Sequence, residues 1–456
     1  MRTFLAILSF SFLVYLGSWV FTYSFGINDL PIQSEDTLPA MFLPISIIKE
    51  GNLYLDNYYK MIIEKYPHPD DKDYQRGLTP YYLRKAGDHY VSAFPITTSL
   101  LALPVYAIPI VLGLDITWEN ITILSHVVSA MIVSLSGGVL FLLLKEHFSL
   151  NKKKSLLLTI IYLFGTINLS TLSQSLWQHG TLQLFVLLGM YCLFDFMKTK
   201  KSLYMFLSGL FFGLGVLSRP TGLLPLVLLL LFFVLNNIKS KKLHIKDFLL
   251  FSFGILLNLA FFYWYTKTYY ISVANQGYAN QLTSWLSPFP EGFLGTWFSP
   301  SKGILIYSPI FIFSFVGLYL SKNKDKLKYF TFGLIVLVHT LILSLWKHWY
   351  GGWSFGYRMS SDVLPFLVLL IVPFVKSKYF KKYVRVFYSL LIISILVNLC
   401  GIFVFDGVWH AAYDLGYENT SWLWSVENSE FIFNVRRLLV KVGLLEKACP
   451  KCLPTL

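Results

Sequence analysis

Apolar runs about as long as a bilayer is thick recur from one end of the chain to the other. A helix needs about 20 apolar residues to cross a hydrocarbon core of about 30 Å. Eleven runs meet this length loosely, at 3–23, 120–144, 155–173, 182–197, 203–218, 221–237, 247–265, 304–320, 329–346, 359–375 and 386–405. Lipid offers no partner to a backbone N–H or C=O, so only helices and closed barrels span it. Runs of this length select helices. The expected fold is an all-α polytopic membrane protein with about 11 transmembrane helices. Composition agrees: 14% of the residues are charged, 55% are hydrophobic and the mean hydropathy is +0.59. Soluble domains carry about 25% charged residues.

The net charge of +14 raises a nucleic-acid reading, which its distribution excludes. Segments 145–154, 198–201, 239–246, 322–328 and 376–385 hold 20 of the 38 Lys and Arg, each wedged between apolar runs. That is the positive-inside pattern of cytoplasmic loops. Residues 24–94 hold seven basic and ten acidic residues, so the large first loop, 24–112, is expected on the non-cytoplasmic face. Within it, 94–112 is apolar but carries Pro95, Pro104 and Pro109. Counting it as a crossing would invert every later basic loop. It is therefore expected to be a broken interfacial or re-entrant element. Residues 1–405 then form the membrane domain and 406–456 an exported tail, in which 431–447 has the spacing of an amphipathic interfacial helix. A multi-pass protein of the plasma (inner) membrane follows.

Several polar clusters fall on the expected outer face. Ser34-Glu35-Asp36-Thr37-Leu38-Pro39-Ala40 follows the first span and opens a short surface helix that Gly51 should stop. Asp36 or Thr37 suits its N-cap, with Pro39 in the first turn. The sharper reading of Asp36 is a catalytic base at the membrane boundary, and one side chain can do both. Ser175-Leu176-Trp177-Gln178-His179-Gly180 sets an indole, an amide and an imidazole at an outer edge. Trp177 suits an interface anchor, whereas Gln178 and His179 suit a cavity. Arg219 interrupts an apolar stretch, where it either snorkels or meets an anion such as a phosphate. Lys302, in Phe298-Ser299-Pro300-Ser301-Lys302-Gly303, is an anchor or a second phosphate ligand. His348, Trp353, Tyr357 and Arg358 lie in a segment dense in aromatic rings, suited to stacking on sugars.

These motifs, with Val91-Ser92-Ala93-Phe94-Pro95 and Arg219-Pro220-Thr221, resemble in content and order the GT-C superfamily of membrane glycosyltransferases. That group includes protein O-mannosyltransferases and aminoarabinose transferases. The resemblance implies transfer of a sugar from a polyprenyl-phosphate carrier to an acceptor hydroxyl on the outer face, with inversion. It implies Asp36 as base and Arg219, Lys302 and Arg358 as ligands of the donor phosphate. Glu35, Trp177, Gln178, His179, His348, Trp353 and Tyr357 would contact sugar or acceptor. Glu35 departs from the small residue expected beside the catalytic acid. Implied partners are the lipid-linked donor, a glycan, lipid or protein acceptor, and membrane lipids.

No carboxylate cluster demands a metal, and no cofactor is assigned; the resemblance leaves room for a divalent metal, which assists some relatives. Cys192 and Cys400 fall in apolar runs, while Cys449 and Cys452 form a C-x-x-C pair suited to a local disulfide in an exported tail. The rival readings are a lipid-linked-sugar transporter or flippase and an O-antigen-type polymerase or ligase. Transporters often show duplicated halves with matched broken helices, and no repeat is apparent in this sequence.

Overall fold

A computed structural model describes residues 2–26, 32–73, 75–238, 244–272, 289–322 and 325–446. Cys449 and Cys452 lie outside the described residues, as does most of the basic segment 239–246. Among those described, eight helices are long and apolar enough to cross a bilayer. They are Arg2–Ser24, Trp118–Glu146, Gln178–Thr199, Pro220–Asn237, Ile245–Tyr269, Lys326–Ser344, Arg358–Lys376 and Val384–Val404. The chain is a multi-pass helical membrane protein.

The other three expected spans are shorter or broken, so the structure does not reproduce eleven continuous crossings. The run 203–218 is a 17-residue helix, Ser202–Ser218. The run 155–173 is helical only over Lys152–Phe164 and then becomes a π-turn, Asn168–Leu172. Thr166 and Asn168 both donate to the Tyr162 carbonyl, at 2.7 and 3.0 Å. Side chains that capture backbone carbonyls in this way compete with the helix ladder. The run 304–320 breaks at Ser308-Pro309 into Ile304–Tyr307, a 3₁₀ turn Pro309–Phe311 and Ile312–Tyr319. Proline has no N–H to continue the ladder.

The element at 94–112 departs from expectation in the opposite sense. Residues Thr97–Val111 form one helix with Pro104 and Pro109 inside it. Its 15 residues rise about 22 Å, short of a full bilayer core. The buried face of Ala102, Tyr106 and Ile110 and the packing against Leu38–Glu50 outweigh the two lost ladder bonds.

The chain divides into two compact units, the first comprising Met1–Gln33, Leu144–Gln174 and Trp285–Leu456, the second Ser34–Leu143 and Ser175–Ser284. In the second unit, Ser202–Ser218 packs on both Gln178–Thr199 and Ile245–Tyr269. The latter contact is backbone on backbone. A Cβ on Gly209 would strike the Phe251 carbonyl oxygen, and one on Gly254 the Phe206 carbonyl oxygen. Small residues allow this approach where lipid supplies no hydrophobic drive between helices. The surface helix Leu38–Glu50 ends as expected at Gly51, whose φ of +68° is left-handed. Its entry differs: a 3₁₀ turn, Glu35–Thr37, precedes it and is capped by Ser34, whose Oγ accepts from the Asp36 N–H at 3.3 Å. Ser34 is thus the side-chain cap, which leaves the Asp36 carboxylate for other partners.

A hairpin also stands in this unit, with Leu83–Ala86 pairing antiparallel to His89–Ser92. The two-residue turn Gly87-Asp88 fits the loop type that needs a left-handed first residue, which Gly87 supplies at φ +62°. Asp56 secures the hairpin by accepting from the Tyr90 N–H at 2.7 Å and meeting His89 Nδ1 at 2.6 Å.

In the first unit, Arg2–Ser24 runs alongside Lys152–Phe164, joined by Tyr15 Oη donating to the Leu163 carbonyl at 2.8 Å. Helix Val384–Val404 reaches the π-turn, where Asn398 accepts from Ser170 at 3.0 Å and donates to the Tyr307 carbonyl at 3.1 Å. The tail belongs to this unit. Its helix, expected over 431–447, spans Glu430–Lys441, and Phe433 joins a buried cluster with Trp349, Tyr350, Trp409, Trp422 and Leu423.

Candidate active site

The first-loop acids sit on the 3₁₀ turn where the chain enters its surface helix. Asp36 is half-buried and accepts a hydrogen bond from the Tyr81 hydroxyl at 2.7 Å. Thr37 is buried and donates to the Ser34 carbonyl at 2.8 Å. Glu35 differs in environment from its neighbour. Burial, and then the charge of Asp36, push its carboxyl up to about 7. A carboxyl raised in this way keeps its proton near neutral pH and can donate a hydrogen bond.

A second motif meets this turn within the same unit. Ser175 Oγ donates to Thr37 Oγ1 at 3.3 Å, joining Ser175-Leu176-Trp177-Gln178-His179 to the acidic segment. Trp177 precedes the helix Gln178–Thr199 in extended conformation, so Gln178 and His179 occupy its first turn. All three are buried, and the Trp177 and His179 rings meet edge to face at 6.3 Å. Arg219 belongs to this unit too. It is half-buried and extended at φ −155°, between Ser202–Ser218 and the 3₁₀ turn Pro220–Gly222. A groove of about 210 Å³ passes Pro220, with Pro95, Thr97, Val216, Tyr265 and Tyr270 among its walls. Its lining is mainly apolar.

The remaining candidates gather in the first unit around a buried ion pair. Lys302 is 1% exposed and Glu430 0%, and their charged groups meet at 3.3 Å. Lys302 Nζ also donates to the Ser354 carbonyl and lies 3.1 Å from His410 Nε2. Glu430 accepts from Tyr307 Oη at 2.8 Å and from the Gly356 N–H at 3.0 Å. Burial draws Lys302 below and Glu430 above their ordinary values, and the attraction between them opposes both shifts. His410 is lowered by burial and then by the Lys302 charge. Arg358 donates to the Gly351 carbonyl at 2.6 Å. Tyr357 shares a hydrogen bond with Ser308 at 2.7 Å. Trp353 stacks on His410 at 5.7 Å with an exposed face, and His348 contacts the Tyr350 hydroxyl at 3.3 Å.

Glu430 and His410 were not singled out from sequence. Glu430 directly precedes the amphipathic run, where an acid reads as an ordinary helix start. His410 is an isolated imidazole with no spacing signal. Among the described residues, no group of three or more His, Cys, Asp or Glu side chains is gathered as a metal-ligand set.

A family model described as dolichyl-phosphate-mannose-protein mannosyltransferase matches residues 104–265, about a third of the chain. No curated protein matches it in sequence. Among solved structures, the chain is similar to the archaeal oligosaccharyltransferase AglB from Archaeoglobus fulgidus in complex with an inhibitory peptide and a dolichol-phosphate. The identity is 12% and the TM-score 0.51, over 99% of this chain and 60% of that one. The apo form of the Archaeoglobus fulgidus oligosaccharyltransferase gives 12% and 0.50, over 99% and 61%. The chain thus spans about 60% of the length of the structures it resembles. It shares its fold with these oligosaccharyltransferases over nearly its whole length, and its middle third matches the mannosyltransferase family model.

Proposed function

We propose that the chain transfers a sugar from a polyprenyl-phosphate carrier to an acceptor hydroxyl, at a site built around Asp36 on the non-cytoplasmic face of the plasma membrane. The observation that carries this reading is the convergence of Ser34–Thr37, Tyr81 and Ser175–His179 on one acidic turn, within a unit that also supplies Arg219. The family match bears on the donor class. The dolichol-phosphate and peptide named with AglB are a lipid phosphate and an acceptor-like molecule of that protein.

The chemistry follows from these groups. An acceptor hydroxyl is a weak nucleophile, and Asp36 takes its proton as the oxygen attacks the anomeric carbon. The anomeric C–O bond to phosphate breaks on the opposite side, and the lipid phosphate leaves with the electron pair. Attack without a covalent intermediate inverts the anomeric centre. Negative charge grows on the leaving phosphate, and a fixed guanidinium such as Arg219 stabilises it. The apolar groove past Pro220 suits the first isoprene units of the carrier. Glu35, protonated below about 7, suits a hydrogen bond to sugar or acceptor, as do Gln178 and His179. Trp353 and Tyr357 keep their assignment to sugar or acceptor, and His348 with them. Lys302 and Arg358 have carbonyl and carboxylate partners of their own. They are assigned to holding the loop Gly351-Gly352-Trp353-Ser354-Phe355-Gly356 in shape. No step runs through a metal.

Membranes containing the chain, incubated with a panel of labelled polyprenyl-phosphate sugars, should transfer label from at least one donor. Asp36→Asn should lower that rate by about 100-fold or more, the range for loss of a general base, with expression unchanged. Full activity in Asp36→Asn would move the base elsewhere. A wild-type chain inert towards every donor would end the transferase reading.

A further inference from the structure

One cavity of the first unit is lined by none of the candidate site residues discussed above. It holds about 500 Å³ between the start of Arg2–Ser24 and Lys152–Phe164. That volume falls within the about 300–1,000 Å³ of small-molecule sites. Its walls are apolar, with Ala6, Phe10 and Ile160 among them, and two cations, Arg2 and Lys152, line it as well. Both cations are exposed, and among the described residues neither forms an ion pair.

The register of the two helices orders this cavity. Phe10 meets Phe164 ring to ring at 6.0 Å, and Tyr15 bonds to the Leu163 carbonyl. The helices therefore run in the same sense, with both cations at one end and the phenyl rings at the other. From Arg2 to Phe10 the rise is about 12 Å, and from Lys152 to Phe164 about 18 Å. One leaflet of a hydrocarbon core is about 15 Å deep, half of about 30 Å. The groove thus has a charged mouth and an apolar trough of one leaflet's depth.

The surroundings of the mouth mark it as the headgroup level. Lys154 donates to the Val375 carbonyl at 2.7 Å and lies over the Phe380 ring. Lys376, next to Val375, feels the charges of Lys328 and Lys154, with Asp325 as an opposing carboxylate. Positive charge therefore collects at this end of the unit, while the trough itself offers no polar partner beyond its threonines.

We propose that this groove is a binding site for an anionic phospholipid of the adjacent leaflet. Its phosphate sits between Arg2 and Lys152, and one acyl chain lies along Ala6 and Phe10. The occupant is a membrane lipid and not the sugar donor, and the inference does not rest on the transferase reading. Charge complementarity at the mouth and the one-leaflet depth of the trough select it. A polyprenyl chain would overrun the trough, and a soluble phosphate would leave the apolar walls uncovered.

The test uses the full chain purified in detergent, with native mass spectrometry and thermal unfolding as readouts. Phosphatidylglycerol should be retained and should raise Tm. Phosphatidylcholine of the same chain length should do so more weakly, and inorganic phosphate not at all. Arg2→Gln with Lys152→Gln should weaken phosphatidylglycerol retention by about tenfold or more, on the scale of two basic residues acting at an anionic surface. Ala6→Trp, which fills the trough and keeps both cations, should abolish retention of the tightly held lipid. Equal binding of the two phospholipids would overturn the role of the cations. An equal Tm shift with inorganic phosphate, or retention unchanged in Ala6→Trp, would overturn the groove.

Discussion

Glu35 is the residue whose titration reports most directly on the proposed site. Its carboxyl lies at about 7 in the folded protein against an ordinary 4.5, because burial and Asp36 both disfavour its charge. Between these values the folded chain keeps a proton that the unfolded chain has released. Its contribution to stability is therefore complete below about 4.5 and is lost as pH rises through 7. Glu35→Gln should leave Tm near that of the wild type at pH 4.5 and raise it relative to the wild type at pH 8, measured by unfolding in detergent. The same variant should flatten any inflection near 7 in the transfer rate. A difference in Tm that does not change with pH would show that Glu35 does not ionise in this range. The short surface helix after the first span was legible in the sequence, because Pro39 and Gly51 bracket an apolar stretch. The capping by Ser34 was not, since three neighbouring side chains suited the same N–H. Glu430 was hidden for a different reason: its importance comes from Lys302, 128 residues away in the chain, and no local pattern records such a partner.

At the scale of elements, two packing arrangements make opposite demands on side-chain size and charge. Helices Ser202–Ser218 and Ile245–Tyr269 touch through Gly209 and Gly254, where the obstacle to a Cβ is a carbonyl oxygen that cannot rotate away. Gly209→Val should cost about 1–3 kcal/mol or more in unfolding free energy, the usual penalty for overpacking. Gly352, whose Cβ would meet open space but whose φ is +61°, should cost less on change to Asn than to Val. The Lys302–Glu430 pair behaves differently. Lys302→Met strands a buried carboxylate and should cost about 3–5 kcal/mol, whereas Lys302→Met with Glu430→Leu should recover most of that loss. Additive losses in the double variant would mean that the two side chains act independently. Helix positions were largely legible, because apolar length is a strong signal. Their breaks were less so. Asn168 and Thr166 look like tolerable polar residues in an apolar run, and only the structure shows both drawn to the Tyr162 carbonyl. Pro104 and Pro109 misled in the other direction, since packing keeps that helix whole. The Gly87-Asp88 turn carries a hairpin signal, but its strands, Leu83–Ala86 and His89–Ser92, are too short for alternation to stand out.

For the whole molecule, the separation of basic loops from the acidic first loop makes a topological prediction. Single cysteines introduced at Asp73 and Lys200 should react with a membrane-impermeant thiol reagent from opposite sides of the membrane. Reaction from the same side would reverse the assignment of the outer face. Fold class was legible because it depends on run length, which a sequence displays directly. The division into two units was not, since each is assembled from separated stretches. The first unit takes in the earliest helix, a middle stretch and the final third of the chain, with the second unit made in between. Its tail supplies Glu430, which neutralises a lysine inserted more than a hundred residues earlier. A ribosome that has released Lys302 but not yet residue 430 therefore holds a nascent chain with an uncompensated cation and an unfinished aromatic cluster. Released chains truncated just before Glu430 should remain protease-sensitive around Ser299–Gly303, and chains that include the whole helix Glu430–Lys441 should be protected there.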